Sequence, residues 1–127
     1  MKKIINTDKS PAAIGPYVQA IDLGQFLFMS GQLPIDPVTN KMPADVNEQT
    51  QQSLANIKAI LTEANYAVAD IIKTTIFLAD MNDFVAVNTI YEQFFTHNKA
   101  SFPARSCVQV ARLPKDAKVE IEIIASK

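Results

Sequence analysis

Apolar and polar residues along the chain form six short segments typical of β-strands and two longer segments typical of amphipathic helices. The strand segments either alternate between apolar and polar positions or are rich in β-branched residues. A glycine at the first position of the Gly24-Gln25 pair favours a two-residue hairpin turn between the second and third strands. The predicted strands are residues 2–5, 17–22, 26–30, 71–78, 104–110 and 119–125.

Apolar residues at three- and four-residue spacing predict the two helices. The first begins at Asp45, which with Glu48 forms an acidic counterpart of the capping box, and ends near residues 65–66. The second begins near Asn82 or Asp83, with Asn82 as its expected N-cap. The apolar positions are Leu54, Ile57, Ile60, Leu61 and Ala64 in the first helix and Phe84, Val87, Ile90, Tyr91 and Phe94 in the second.

The order of these elements predicts a single domain over residues 1–127 with an α+β fold in two layers. One mixed sheet carries both helices on one face, and its other face meets either water or another subunit. Phe26, Phe28, Ile76 or Leu78 on that second face would leave an apolar patch that monomers rarely tolerate. The pattern does not say which of them faces outward.

Side-chain alternation also assigns faces to the last two strands. Glu120 and Glu122 alternate with the apolar residues of the last strand, and Arg105 and Cys107 share one face of the preceding strand. The simplest assignment turns the apolar sets toward the helices. Arg105, Cys107 and Glu120 are therefore expected together on the uncovered face.

Charge and composition narrow the class of ligand. The 127 residues include 12 basic and 13 acidic side chains, which give a net charge of −1. This balance removes the bulk attraction on which non-specific binding to a phosphate backbone depends. Lysine and arginine occur singly except at Lys2-Lys3. Nucleic acid is disfavoured as the main ligand.

Cys107 is the only cysteine and His97 the only histidine, so an intramolecular disulfide and a cysteine-rich zinc site are excluded. The residues after Lys2-Lys3 turn polar too soon for the apolar core of a signal peptide. No stretch approaches the roughly 18 apolar residues of a membrane span. We expect a cytoplasmic protein with a reduced thiol and no membrane association.

Several short motifs, in a fixed order, resemble those of the RidA (YjgF) family. They are Ile14-Gly15-Pro16-Tyr17, Phe28-Met29-Ser30-Gly31-Gln32, Asn88 with Tyr91, the run from Pro103 to Val110, Leu113-Pro114, and Val119-Glu120-Ile121-Glu122. Each motif is weak by itself, but their order and spacing together are specific and extend over the whole chain.

The resemblance implies a chorismate-mutase-like homotrimer with three ligand sites in the clefts between subunits. It also implies hydrolysis of reactive 2-enamine and 2-imino acids, such as 2-aminoacrylate and 2-aminocrotonate, to 2-keto acids and ammonia. Neither a metal nor a cofactor is implied. Such intermediates leak from pyridoxal-phosphate enzymes such as threonine and serine dehydratase, which this activity would protect.

The residue chemistry is compatible with that activity. The planar guanidinium of Arg105 suits the carboxylate of a small 2-imino acid, with two parallel hydrogen bonds. Glu120 is the candidate acid–base group that moves protons between water and the imine nitrogen. Gly31 allows the backbone to approach a ligand closely. The further candidate substrate-binding residues are Tyr17, Ser30, Asn88 and Cys107, the last through its backbone.

Other interpretations of these residues stay open. Without the resemblance, Arg105 is better explained by a structural ion pair with a neighbouring glutamate, and Glu120 and Glu122 by solvation of an outer strand face. As whole-protein alternatives, the same clefts could bind keto acids or a protein partner without turnover. A ribonuclease or translation-inhibitor role is disfavoured by the charge balance, and no motif indicates a chaperone.

Overall fold

The computed structural model describes residues 2–127, which form six strands and two α-helices. Short 3₁₀ turns at Val68–Asp70, Met81–Asp83 and Pro114–Asp116 connect some of them. The elements are β1 (Lys3–Ile5), β2 (Ala20–Asp22), β3 (Phe26–Gln32), α1 (Val46–Glu63), β4 (Ile71–Leu78), α2 (Phe84–His97), β5 (Ala104–Gln109) and β6 (Val119–Ser126).

All six strands join one mixed sheet in the order β1-β2-β3-β6-β4-β5. Only the β4–β5 pair is parallel, and α2 connects its two strands. The buried apolar residues of the sheet pack against α1 and α2 in one cluster. The predicted α+β fold, with two helices on a mixed sheet, is confirmed.

The helix ends show one correct cap and one error. Asp45 caps α1, because its Oδ1 accepts a hydrogen bond from the Asn47 backbone N–H at 2.7 Å. The predicted cap of α2 at Asn82 is wrong. Asp80 instead accepts from the Asn82 N–H at 2.9 Å and begins a 3₁₀ turn that precedes the helix. Helical winding therefore starts before the residue that the polar-to-apolar change suggests.

The β2–β3 hairpin has the predicted two-residue turn. Leu23 N–H donates to the Phe26 carbonyl at 2.8 Å, and Gly24 has a φ of 99°, which a residue with a side chain rarely adopts. Strand β2 is shorter than predicted, since residues 17–19 leave the ladder. At the far end of β3, Ser30 and Gly31 together oppose a single residue of β6, which makes a β-bulge.

The face of the sheet away from the helices carries several exposed apolar side chains. Phe28 is 46 % exposed and Phe26 39 %, whereas Ile76 and Leu78 point toward the helices and are buried. Ile4 and Val108 are also exposed on this side. Two of the four residues considered from the sequence thus form part of the uncovered face.

For the last two strands, the predicted sheet face is right for Glu120 and wrong for Arg105 and Cys107. Directly paired residues on neighbouring strands project to the same face. Glu120 pairs with Phe77 and lies on the uncovered face, as expected. Arg105 pairs with Thr74 and Cys107 with Ile76, so both lie on the helix-covered face. Because β5 is the edge strand, the helix layer covers it incompletely, and polar residues remain partly exposed on that side.

Candidate active site

The first part of the candidate site is a cavity of about 770 Å³, here called the cleft. It contains four of the predicted site residues, namely Tyr17, Ser30, Gly31 and Glu120. Its complete lining is Pro11, Ala12, Ile14, Tyr17, Gln19, Ser30, Gly31, Gln32, Leu33, Ile35, Asn40, Pro114, Lys115, Glu120 and Glu122.

Glu120 lies directly against the backbone of Gly31. A Cβ atom at position 31 would be 2.8 Å from the carboxyl carbon of Glu120, closer than non-bonded carbon atoms approach. Gly31 is thus needed for close packing and not for a positive φ. The cleft holds the carboxyl group half-buried because this one side chain is missing.

The environment of Glu120 raises its pKa. Burial is the main cause, and the negative charge of Glu122 adds to it. A carboxyl group whose pKa is raised toward neutrality both accepts and returns a proton more readily near physiological pH. The electrostatics of the cleft therefore favour the acid–base role that the sequence suggested for Glu120.

The wall of the cleft that carries Tyr17 is held by a residue that the sequence did not single out. Gln19 is only 3 % exposed, and its side-chain amide binds the loop before it. Its Oε1 accepts from Thr7 N–H at 2.8 Å, and its Nε2 donates to the carbonyls of Thr7 and Pro11 at 3.0 and 2.9 Å. We call residues 7–17 the strap. A polar residue inside a predicted strand was the only available sign of this role.

Ser30 joins β3 to the end of the strap. Its hydroxyl donates to the Val18 carbonyl at 2.7 Å, and its N–H donates to the Gln19 carbonyl at 2.9 Å. A hydroxyl that donates one hydrogen bond can still accept another, and Ser30 lines the cleft. Tyr17 is 52 % exposed at the rim.

Two other cleft residues, Pro114 and Lys115, lie on the turn before β6. Lys115 and Asp116 have φ angles of 58° and 55°, a strained conformation for residues with side chains. Arg112 forms a two-point ion pair with Asp116, at 2.6 and 3.1 Å, that spans this turn. Each partner shifts the other's pKa, raising that of Arg112 and lowering that of Asp116. The Leu113-Pro114 motif was the sequence sign for this turn.

The second part of the candidate site surrounds Arg105. Its Nη1 donates to Oδ1 of Asn88 at 2.6 Å, and its guanidinium carbon lies 5.5 Å from the ring centroid of Phe84 and 5.0 Å from that of Tyr91. We call Phe84, Asn88 and Tyr91 the cradle. The alternative interpretation of Arg105, an ion pair with a glutamate, is not seen among residues 2–127.

Cys107 lies two residues beyond Arg105 on the same face and packs against the core. Burial raises the pKa of its thiol, and the charge of Arg105 only partly opposes this. The thiol is therefore protonated at neutral pH and is a poor nucleophile. A nucleophilic role for the Cys107 side chain is therefore not favoured.

Glu120 and Arg105 of one chain do not meet. Strand β4 separates β6 from β5, so Glu120 and its row partner Val108 are about 10 Å apart across the sheet. Arg105 lies three residues farther along β5, about another 10 Å away, and projects from the opposite face. A ligand of a few carbon atoms cannot contact both groups within one chain.

Among residues 2–127, no group of three or more His, Cys, Asp or Glu side chains is placed to hold a metal ion. Within the same residues, no helix is both long and apolar enough to cross a membrane.

Comparison with known proteins identifies the family. A family model described as endoribonuclease L-PSP matches residues 7–127. The chain belongs to this family. It is the RidA (YjgF) family that the sequence motifs resemble.

Individual members of the RidA family are similar over nearly the whole chain. A protein of Escherichia coli (strain K12) named 2-iminobutanoate/2-iminopropanoate deaminase is 59 % identical over 125 residues, which are 98 % of each chain. The crystal structure of E. coli TdcF with bound serine has a TM-score of 0.97 and 56 % identity, covering 98 % of each chain. The structure of the E. coli YjgF gene product also has a TM-score of 0.97, with 58 % identity and 98 % coverage of each chain.

Proposed function

We propose that this protein hydrolyses small 2-enamine and 2-imino acids to 2-keto acids and ammonia. The support comes from two directions. The site residues supply a carboxylate anchor and a half-buried acid–base group, and a relative 59 % identical is named for this deaminase activity. The E. coli relative crystallised with serine binds a small α-amino acid, whose carboxylate is the group that Arg105 would anchor here.

The single observation that carries the proposed site is the separation of Arg105 and Glu120 on opposite faces of the sheet. Both groups can act on one small ligand only where the cradle of one copy meets the cleft of another. We therefore propose a homotrimer with three such sites between subunits. The half-exposed Phe26 and Phe28 support burial of the uncovered face against other copies.

In this arrangement the guanidinium of Arg105 binds the substrate carboxylate through N–H donors that Asn88 leaves free. Backbone N–H groups near Gly31 and Cys107 complete the anchor, and Tyr17 and Ser30 border the pocket. An enamine first gains a proton at C3 and loses one from nitrogen, which converts it to the imine. The imine carbon, C2, then stands next to the anchored carboxylate.

Glu120 of the neighbouring copy performs the proton transfers. It removes a proton from water as the oxygen bonds to C2, and it returns that proton to the nitrogen. The product of these transfers is a carbinolamine. Glu120 then moves the proton of its hydroxyl group to the same nitrogen, the C2–N bond breaks as the C2=O double bond forms, and ammonia leaves the 2-keto acid. Neither a metal nor a cofactor takes part, since the imine carbon is already electrophilic. General acid–base help of this kind is typically worth about 10²–10⁴-fold.

The physiological role that fits this chemistry is protection of pyridoxal-phosphate dehydratases, which release 2-aminoacrylate and 2-aminocrotonate. A cytoplasmic location suits both those enzymes and the protonated thiol of Cys107. An RNA-cleaving role, which the family description names, is not supported by a net charge of −1 or by His97, which is exposed and lies outside the cleft.

The test is a coupled assay in which a serine dehydratase generates 2-aminoacrylate and pyruvate release is followed. We expect the protein to accelerate release above the spontaneous rate. Arg105→Ala should lower kcat/KM by about 10²-fold through loss of charged hydrogen bonds. Lys58→Ala, on the exposed side of α1, is the control. Binding of 2-oxobutanoate without any acceleration would instead support a keto-acid-binding module.

A further inference from the structure

One face of α2 is built around Arg105. Phe84, Asn88 and Tyr91 stand at positions i, i+4 and i+7 of this helix and so share one face. The two rings approach the guanidinium at 5.5 and 5.0 Å, and Asn88 accepts one of its N–H groups at 2.6 Å. Aromatic rings contact a guanidinium through its flat faces, whereas carboxylates bind along its edges. The cradle therefore holds Arg105 and leaves edge donors for a ligand.

Tyr91 is itself fixed by a buried hydrogen bond. Its hydroxyl and the hydroxyl of Thr74 are 2.6 Å apart, and the two residues are 4 % and 1 % exposed. Thr74 is also the residue directly opposite Arg105 in the β4–β5 ladder. The strand that aligns the Arg105 backbone thus also anchors the ring that packs against its side chain.

We propose that Thr74 and Tyr91 form a positioning pair that orients the Arg105 guanidinium and thereby sets the affinity for carboxylate ligands. The inference rests on the anchoring role of Arg105 in the proposed function. Arginine has many rotamers in solution, and two parallel hydrogen bonds require its plane to have one orientation. A ring free to tilt would hold that plane less firmly.

The hydroxyl of Tyr91 can be removed without removing the ring. In Tyr91→Phe the ring loses its tether and Thr74 keeps a buried hydroxyl without a partner. We expect the Kd for 2-oxobutanoate and the KM for the imine to rise about three- to tenfold. The value of kcat should stay near that of the unchanged protein, because Glu120 is untouched. Tyr66→Phe is the matched control, since Tyr66 is also a buried tyrosine, and its hydroxyl donates to Asp22 outside the site.

The double variant Thr74→Val/Tyr91→Phe separates positioning from stability. Removing both hydroxyl groups leaves no buried polar group unpaired, so the Tm lost in Tyr91→Phe should largely return. The ring remains untethered, so the Kd should stay raised. If the Kd recovers together with the Tm, the pair is only structural and the inference is wrong.

A double-mutant cycle between Tyr91 and Arg105 tests whether Tyr91 acts through the guanidinium. Lysine has no plane to orient, so in an Arg105→Lys background the Tyr91→Phe change should have almost no further effect on Kd. If Tyr91→Phe raises the Kd by the same factor in the Arg105→Lys protein as in the unchanged protein, the inference is contradicted. An active protein whose Kd is unaffected by Tyr91→Phe overturns this inference alone. A protein that neither binds 2-oxobutanoate nor accelerates hydrolysis overturns the proposed function, and the inference with it.

Discussion

Glu120 owes its half-buried position to the missing side chain at Gly31. The carboxyl carbon of Glu120 occupies space that a Cβ at position 31 would need. Both residues were singled out from the sequence for separate reasons, Gly31 for close approach to a ligand and Glu120 for proton transfer. Their direct contact adds a second reason for the glycine, because it places the acid–base group.

Gly31→Ala should therefore reduce activity more than stability. The atom that must move belongs to the end of a flexible side chain, so the fold survives while the carboxyl group is displaced. We expect kcat to fall at least about tenfold, with a change in unfolding free energy of about 1 kcal/mol or less. The coupled assay and urea unfolding measure the two effects. In a Glu120→Gln background the alanine should cost no further activity, and a multiplied loss would refute the explanation.

The pH dependence of the reaction should report the contact between Glu120 and Glu122. Glu120 must be ionised to accept a proton from water, so activity rises as the pH rises through its raised pKa. Glu122→Gln removes one of the two causes that raise the pKa of Glu120. The acidic limb of the kcat/KM profile should therefore move to lower pH. Glu92→Gln, an exposed change on α2, is the control. An unmoved limb would mean that Glu122 does not influence Glu120.

Among the elements, the strap is held chiefly by the buried side chain of Gln19. Four backbone groups of residues 7–11 bind its amide, and the strap leads on to Tyr17 at the rim of the cleft. Irregular backbone of this kind stays ordered only where its polar groups find partners. The Gln19 amide gives this segment the hydrogen-bond partners that a neighbouring strand would otherwise provide.

Gln19→Leu should loosen the strap. Loss of these hydrogen bonds leaves buried backbone groups unpaired, at about 1–3 kcal/mol each, so we expect a clear fall in the free energy of unfolding. Amide hydrogen exchange should become faster at Thr7, whose N–H loses its acceptor. Gln93→Leu on the exposed side of α2 is the control. Unchanged protection at Thr7 would show that the strap is held by other contacts.

The two helices show which features of a helix the local sequence pattern predicts and which it does not. The spacing of Leu54, Ile57 and Ile60 predicts α1 with its cap at Asp45, because burial and capping there both depend on neighbours within a few residues. The start of α2 near Asp83 was predicted correctly, but its N-cap was not, since Asp80 and not Asn82 caps the 3₁₀ turn that precedes the helix. Several polar residues in succession offer more than one cap, and the packing of the first turn selects among them.

At the scale of the whole molecule, one chain contains two half-sites. The cleft and the cradle lie on opposite faces of the sheet, and β4 separates the strands that carry Glu120 and Arg105. Head-to-tail contact between copies, which closes into a ring in a trimer, would bring each cradle to a neighbouring cleft. Under the proposed mechanism, assembly is therefore a condition of activity.

Mixed trimers test that arrangement directly. Arg105→Ala and Glu120→Gln chains are each expected to lose most of their activity, but co-assembled in equal amounts they should form intact sites. Random assembly places an intact arginine beside an intact glutamate at about a quarter of all sites, so about a quarter of the activity should return. Light scattering verifies the trimer mass. Mixed trimers without activity, or a monomer mass for the unchanged protein, would refute the shared site.

Periodicity and motif order were enough to predict the strands, the helices and the family, and they also selected the residues of the proposed site. These features depend on local spacing, which the chain displays directly. The face on which Arg105 lies was predicted wrongly, because alternation places Arg105 and Cys107 together without saying which side is covered. Only the parallel register of β5 on β4, a contact between residues about 30 apart in the chain, decides that side. The same register separates Arg105 from Glu120, so the proposal of a site shared between two copies rests on the tertiary structure and not on the sequence.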